Sequence, residues 1–311
     1  MKKLLFTYLR KLIAYTRQFS FPGFKGIPIY DVGVFFSKEV FRGDIQIRAR
    51  AIAFSFFLAL FPSIIFLFTL IPYVPIEGFQ TKLLELIRSV LPYNTYDTAY
   101  QTIEEIIVRQ NRGLLSFGFL LALIVSTNGV FALIGGFDKT VEYQKRKGYK
   151  QRLVALYLTL LIAILLVIAI VLIIVTEITL HYINTHVINL SQSSVYLLLA
   201  GKYLVLLLLS FTAISSLYYF GPSGGTKKWQ FFSPGSILAT FLIAITSIAF
   251  NFFIMNFGQY NKIYGSIGTL IIILIFLNFN CLQLLIGFEL NNAIEKARLK
   301  PGIKSFEGKS T

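Results

Sequence analysis

The chain has 311 residues, of which 56% are hydrophobic and only 14% charged, and its formal net charge is +15. A soluble domain carries about 25% charged residues, so the composition excludes an ordinary soluble globule and fits a single membrane-embedded domain. One cysteine, Cys281, excludes a disulfide framework and a cysteine-based metal site within one chain.

Residues 1–50 hold ten lysines and arginines. Arg10, Lys11 and Arg17 interrupt the first apolar run and no small-residue cleavage site follows, so it does not read as a signal peptide. Leu5, Tyr8, Leu9, Leu12 and Ile13 share one side of a helix with the basic residues opposite, which predicts a helix lying on the inner membrane surface; a solvated basic tail is the alternative.

Six apolar stretches follow, at 51–72, 114–137, 153–180, 195–220, 236–257 and 267–290. Each is long enough to cross a hydrocarbon core of about 30 Å, which takes about 20 helical residues. The fold class is therefore all-α: a polytopic membrane protein, a bundle of six transmembrane helices with amphipathic interfacial helices. The domain reading is a cytoplasmic basic segment at 1–50, a transmembrane domain at 51–290 with an outer amphipathic segment at 73–113, and a cytoplasmic tail at 291–311.

Charge sets the orientation. The successive segments outside the spans hold 10, 4, 6, 0, 2, 1 and 5 lysines and arginines, and Lys202 inside a span completes the 29. With the first segment inside, 23 lie on the cytoplasmic side and 5 outside, which predicts that both termini are cytoplasmic. The basic flanks face anionic headgroups, which absorbs most of the net charge and removes the reason to expect nucleic acid as a partner. Membrane lipids are the expected partners, with a homo-oligomer or envelope-assembly proteins left open.

Individual residues sharpen the outline. Pro62, inside the first span, removes a hydrogen bond to the Leu58 carbonyl and predicts a kink, with Ser55, Ser63 or a neighbouring helix as substitute partner. In the outer segment, Phe79 to Val90 and Tyr96 to Ile107 repeat at helical spacing around Pro92, predicting two amphipathic helices. Five acids there, Glu77, Glu85, Asp97, Glu104 and Glu105, read as a solvated face or a cation-attracting vestibule. Arg146, Lys147 and Arg152 in the second inner loop are candidate lipid-phosphate contacts.

Amides and charges within spans are costly, so function is sought there first. The candidates are Asn128, Asn251, Asn278, Asn280, Gln283 and Glu289. In the sixth span Asn278, Leu282, Leu285 and Glu289 fall on one face, and Asn280, Gln283, Gly287 and Asn291 on nearly the opposite one. Both faces must meet protein or water, either as glue between helices or as a substrate-lining surface. Glu289 reads as a proton-responsive carboxylate or as one partner of an arginine at the cytoplasmic rim. Glu177 and Lys202 lie at comparable outer depths and form a candidate ion pair. The two histidines, His181 and His186, are not spaced for one helical face, and no phosphate loop, nucleophile elbow or metalloprotease motif occurs. No metal, no cofactor and no enzymatic activity are expected.

The C-terminal third carries wording that points further. Tyr219-Phe220-Gly221-Pro222, Lys227-Lys228-Trp229, Ser233-Pro234-Gly235 with Ala239-Thr240, the run Asn256 to Gly268, and Gly287-Phe288-Glu289-Leu290-Asn291 resemble, in order, the YihY/virulence factor BrkB family. Arg48-Ala49-Arg50-Ala51, Ala53-Phe54 and Phe61-Pro62 resemble that family's opening span, and the match covers roughly 35–295. The resemblance implies six transmembrane helices in the bacterial cytoplasmic membrane. Where the family usually has asparagine and arginine after the second span, this chain reads Phe137-Asp138-Lys139-Thr140. Some relatives are labelled ribonuclease BN, a label to which these residues lend no physical support. The segment 260–268 reads as a short outer connection in which Gly258, Gly265 and Gly268 either pack closely or expose backbone to a substrate. The leading functional expectation is transport or handling of a lipid or other amphiphile in envelope biogenesis; ion-coupled transport using Glu289, Glu177 or Lys202, and a non-transporting scaffold, are the alternatives.

Overall fold

A computed structural model of the chain describes residues 16, 19–21, 23–41, 44–73, 112–139, 146–186, 192–223, 231–256 and 258–299. Within those helices the side chains of 71, 177–178, 181–186, 192–194, 255–256 and 258–267 lie outside the description. The surface helix expected near the start and the two amphipathic helices expected around Pro92 fall on residues outside it.

The described residues form helices and no strand: α1 (Ile29–Phe41), α2 (Asp44–Leu70), α3 (Arg112–Asp138), α4 (Gly148–His186), α5 (Gln192–Phe220), α6 (Pro234–Asn256) and α7 (Gly258–Leu299). Helices α2 to α7 contain the six segments long and apolar enough to cross a membrane. In hydrocarbon every backbone N–H and C=O must be satisfied internally, and a helix does this within one segment. The helices outrun the apolar stretches because polar turns at their ends continue the same hydrogen-bond ladder. Asp44 opens α2 and Lys296 and Arg298 close α7, each of the sign that the helix dipole favours.

One expectation is corrected. Residues 258–266 are the first turns of α7, not a loop, so the backbone groups of Gly265 lie within a helical ladder and are not offered to a substrate. Glycine costs only about 1 kcal/mol in a helix interior, and no proline stops the ladder there. Pro62 lies inside α2, and Ser63 Oγ donates to the Ala59 carbonyl at 2.7 Å, one residue from the Leu58 carbonyl that proline leaves short.

The chain divides into two compact units. The smaller, Phe54–Gly129, packs by close approach: the ring centres of Phe66 and Phe119 lie 5.4 Å apart, and a Cβ on Gly118 would touch the Phe66 backbone at 3.5 Å. The larger, Met1–Ala53 with Val130–Thr311, holds most of the buried core. There Phe137 stacks on Phe288 at 4.3 Å and meets Tyr218 edge-on at 5.6 Å, joining α3, α5 and α7 through one aromatic cluster. At the far end of α7 a second small core forms as Ala293, Ile294 and Ala297 pack on Ile27 and Val32, flanked by Phe24, Phe35 and Phe36. Gly23 and Gly26 sit at φ 92° and 73° in the turn that leads into α1, backbone that glycine adopts without strain.

Candidate functional site

The basic ends of the spans meet in a buried polar network within the larger unit. At the start of α2, Ala49, Ile52 and Ala53 are buried, and Arg48 turns inward on the same side while Arg50 stays exposed. Arg48 Nη2 donates to Glu289 Oε1 at 2.9 Å and Nη1 to the Gly136 carbonyl at 2.8 Å. The Arg48 side chain is 9% exposed and that of Glu289 is fully buried. A buried carboxylate is tolerable only with such a partner, and removal of one member of a buried pair costs about 3–5 kcal/mol. Glu289 therefore takes the arginine partner that was one of its two predicted readings. Gly136 is small for a reason: a Cβ there would lie 2.9 Å from Ile52 Cδ1.

Helices α6 and α7 cross at a pair of glycines. A Cβ on Gly287 would stand 2.5 Å from the Gly235 carbonyl oxygen and 2.5 Å from the Tyr218 hydroxyl, and one on Gly235 would overlap the Gly287 carbonyl. Such contact lets side chains bridge the two backbones. Asn291 Oδ1 accepts from Gly235 N at 2.8 Å, and its Nδ2 donates to Ser233 Oγ at 2.9 Å. Ser233 Oγ in turn accepts from Ser236 N at 3.1 Å, capping α6 just before Pro234, whose missing N–H does no harm in a first turn. Tyr218 donates its hydroxyl to the Leu284 carbonyl at 2.6 Å.

Asp138, at the end of α3, is a hub that the sequence reading passed over as a departure from the family pattern. Its carboxylate accepts from Ser223 N at 2.7 Å, from Ser223 Oγ at 2.5 Å and from Gln151 Nε2 at 2.9 Å. It thereby fastens the ends of α3 and α4 to the turn after α5. An acid at the close of a span, between two loops, is the only sequence signal for it.

Further along the spans the polar groups are less well satisfied. Gln283 Nε2 reaches Thr246 Oγ1 between α7 and α6, but Gln283 Oε1 is buried without a partner, as is Asn278 Oδ1. Asn280 Nδ2 bonds only its own helix, at the Phe276 carbonyl, 2.7 Å away. Asn251 is exposed on α6, one turn beyond an exposed Ser247, and Asn128 is exposed on α3 within the smaller unit. The structure thus joins Glu289, Gln283 and Asn291 to other helices, and leaves Asn128 and Asn251 on open faces.

The Lys202 ammonium lies 5.3 Å from the Tyr203 ring centre, and the Glu177 side chain, with the predicted pair, lies outside the described residues. Arg146 donates to the Phe220 carbonyl at the end of α5, at 3.0 Å, and Arg152 sits 5.4 Å from the Phe131 ring centre, whereas Lys147 is exposed. Among the described residues no three His, Cys, Asp or Glu side chains come together as a metal site.

The chain is similar to known sequences. A family model described as virulence factor BrkB matches residues 36–307. The chain belongs to that family. The BrkB-family chain is 26% identical over 271 residues to YfkH of Bacillus subtilis (strain 168), named as a ribonuclease-like protein, covering 86% of this chain and 97% of that one. It is 22% identical over 264 residues to a UPF0761 membrane protein of Tolumonas auensis, covering 82% of each. A UPF0761 membrane protein of Xanthomonas axonopodis pv. citri is 32% identical over only 68 residues, 22% of this chain and 16% of the relative. No solved structure matches. Like the named UPF0761 relatives, this BrkB-family chain is an integral membrane protein, with six helices apolar enough to span among its described residues.

Proposed function

We propose that this protein is a non-enzymatic component of the bacterial cytoplasmic membrane, with both termini in the cytoplasm, that transports or handles a lipid or other amphiphile in envelope biogenesis. The observation that carries the reading is the polar stretch of α6 and α7 inside their apolar spans. Ser247, next in sequence to Thr246, and Asn251, one turn beyond Ser247, lie exposed on α6, and Thr246 holds a Gln283 whose Oε1 is buried and unpartnered. Hydrocarbon offers such groups no hydrogen bond, whereas a headgroup passing along the helix pair does. Acyl chains meanwhile remain against the exposed apolar side chains of the same helix, such as Ile245 and Ile248.

The ion-coupled alternative is weakened because Glu289, its best-placed carboxylate, is committed to Arg48. The ribonuclease wording belongs to the name of YfkH, and purified protein is expected to show no metal-dependent RNA cleavage. The deciding measurement uses purified protein in liposomes carrying fluorescent lipids. Wild type is expected to speed the movement of label between leaflets, and Asn251→Leu with Gln283→Leu to slow it by about tenfold, the effect of losing about one hydrogen bond to the passing group. A wild-type rate equal to that of empty liposomes sinks the reading and leaves the scaffold alternative in its place.

A further inference from the structure

Away from the buried network, cations and aromatic rings gather at the basic start of α4, beside the end of α5. Lys147, just before α4, and Tyr149, Lys150, Arg152, Leu153 and Tyr157 on its first turns are all exposed. Tyr149, Leu153 and Tyr157 are spaced by four and share one face, and they are 60%, 61% and 50% exposed. Lys150 flanks that face.

The patch is held in place. Arg146 caps the Phe220 carbonyl at 3.0 Å, which fixes the backbone just before Lys147 to the end of α5. Phe220 also meets the Tyr157 ring edge-on at 5.6 Å. The Arg152 guanidinium rests against the Phe131 ring, 5.4 Å from its centre. Asp138, the nearest acid among the described residues, is 6% exposed and turned to Gln151 and Ser223 rather than to the lysines.

A solvated topogenic loop would carry the same charges without the rings. Tyrosine is enriched where one end of a side chain is apolar and the other wet, at headgroup level, and lysine there attracts anionic headgroups at about 1 kcal/mol each. We infer that the basic start of α4, braced by the adjoining end of α5, forms a binding site for an anionic phospholipid. Lys147 and Lys150 take the phosphate and net charge of the headgroup, and the acyl chains run along Leu153 and Tyr157. This goes beyond the lipid-handling reading and does not depend on it, since a bundle that moves nothing still retains this lipid.

The full-length protein is tested by native mass spectrometry after equilibration with equal amounts of phosphatidylglycerol and phosphatidylcholine of matched chains. Wild type is expected to retain the anionic lipid about tenfold over the neutral one. Lys147→Gln with Lys150→Gln removes most of that preference. Lys38→Gln with Arg298→Gln, an equal charge change at exposed positions on α1 and α7, leaves it intact. Both changes alter solvent-facing groups, and equal melting temperatures confirm comparable folding. The proposal is overturned if wild type shows no preference, or if the α1 and α7 pair lowers it as much as the α4 pair.

Discussion

Helices α6 and α7 contact one another along two stretches of opposite character. At their basic ends the amide of Asn291 uses both its oxygen and its nitrogen, Ser233 and Ser236 cap one another, and Glu289 meets Arg48. Deeper in the spans, Gln283 uses its nitrogen and leaves its oxygen buried without a partner, and Asn251 faces outward. The same residue types thus act as fastening in one stretch and as open hydrogen-bonding groups in the other. What separates them is the glycine crossing: where Gly235 and Gly287 bring the backbones together, short polar side chains reach across, and beyond it ring contacts such as Phe250 with Phe276 at 4.7 Å replace them.

The strongest way to break the fastened stretch is to strand a charge. Glu289→Ala is expected to destabilise by about 3–5 kcal/mol, read as a lowered unfolding midpoint in detergent, because Arg48 keeps its charge in a buried place. Arg48→Met combined with Glu289→Leu should recover much of that loss, since neither charge then remains; a double variant as unstable as the single one would refute the account. Gly287→Val comes next, at about 1–3 kcal/mol from collision with Gly235 and Tyr218, again read from the unfolding midpoint. Asn291→Leu should cost about 1–3 kcal/mol by leaving the Gly235 N–H buried and unbonded, and faster amide exchange at Gly235 would locate the loss. The smallest effect is expected in the open stretch: Asn251→Leu should change stability by less than about 0.5 kcal/mol, so a large drop there would erase the contrast between the two stretches.

Much of this was legible in the chain. Apolar runs long enough to span announce themselves, because hydrocarbon admits few charges, and their positions agree with α2 to α7. Glu289 was legible as a partner for some arginine, but not for Arg48, which is 241 positions away and becomes a neighbour only when α2 and α7 pack. Gly287 was legible as a site of close approach, whereas its counterpart Gly235 sits in a stretch that reads simply as a helix start. Asp138 was legible only as an acid at the close of a span, and not as a hub, since its donors come from two separate segments. The turns at 258–266 misled because glycine, asparagine and tyrosine suggest a loop, while a chain entering hydrocarbon gains more from continuing its ladder than two glycines lose.

Helix α7 has 42 residues, about 63 Å at 1.5 Å per residue, and so outreaches a bilayer of about 40–45 Å including headgroups. Its protruding end is clamped to α1 by the small core of Ile27, Val32, Ala293, Ile294 and Ala297, with Lys296 bound to Glu39 at 2.8 Å. That makes α7 a lever with a readable handle: a tilt of about five degrees about its midpoint displaces its end by about 3 Å at that length. A spectroscopic label at the exposed Lys38 on α1 would therefore follow events around Gln283 without touching the membrane-embedded part of the chain.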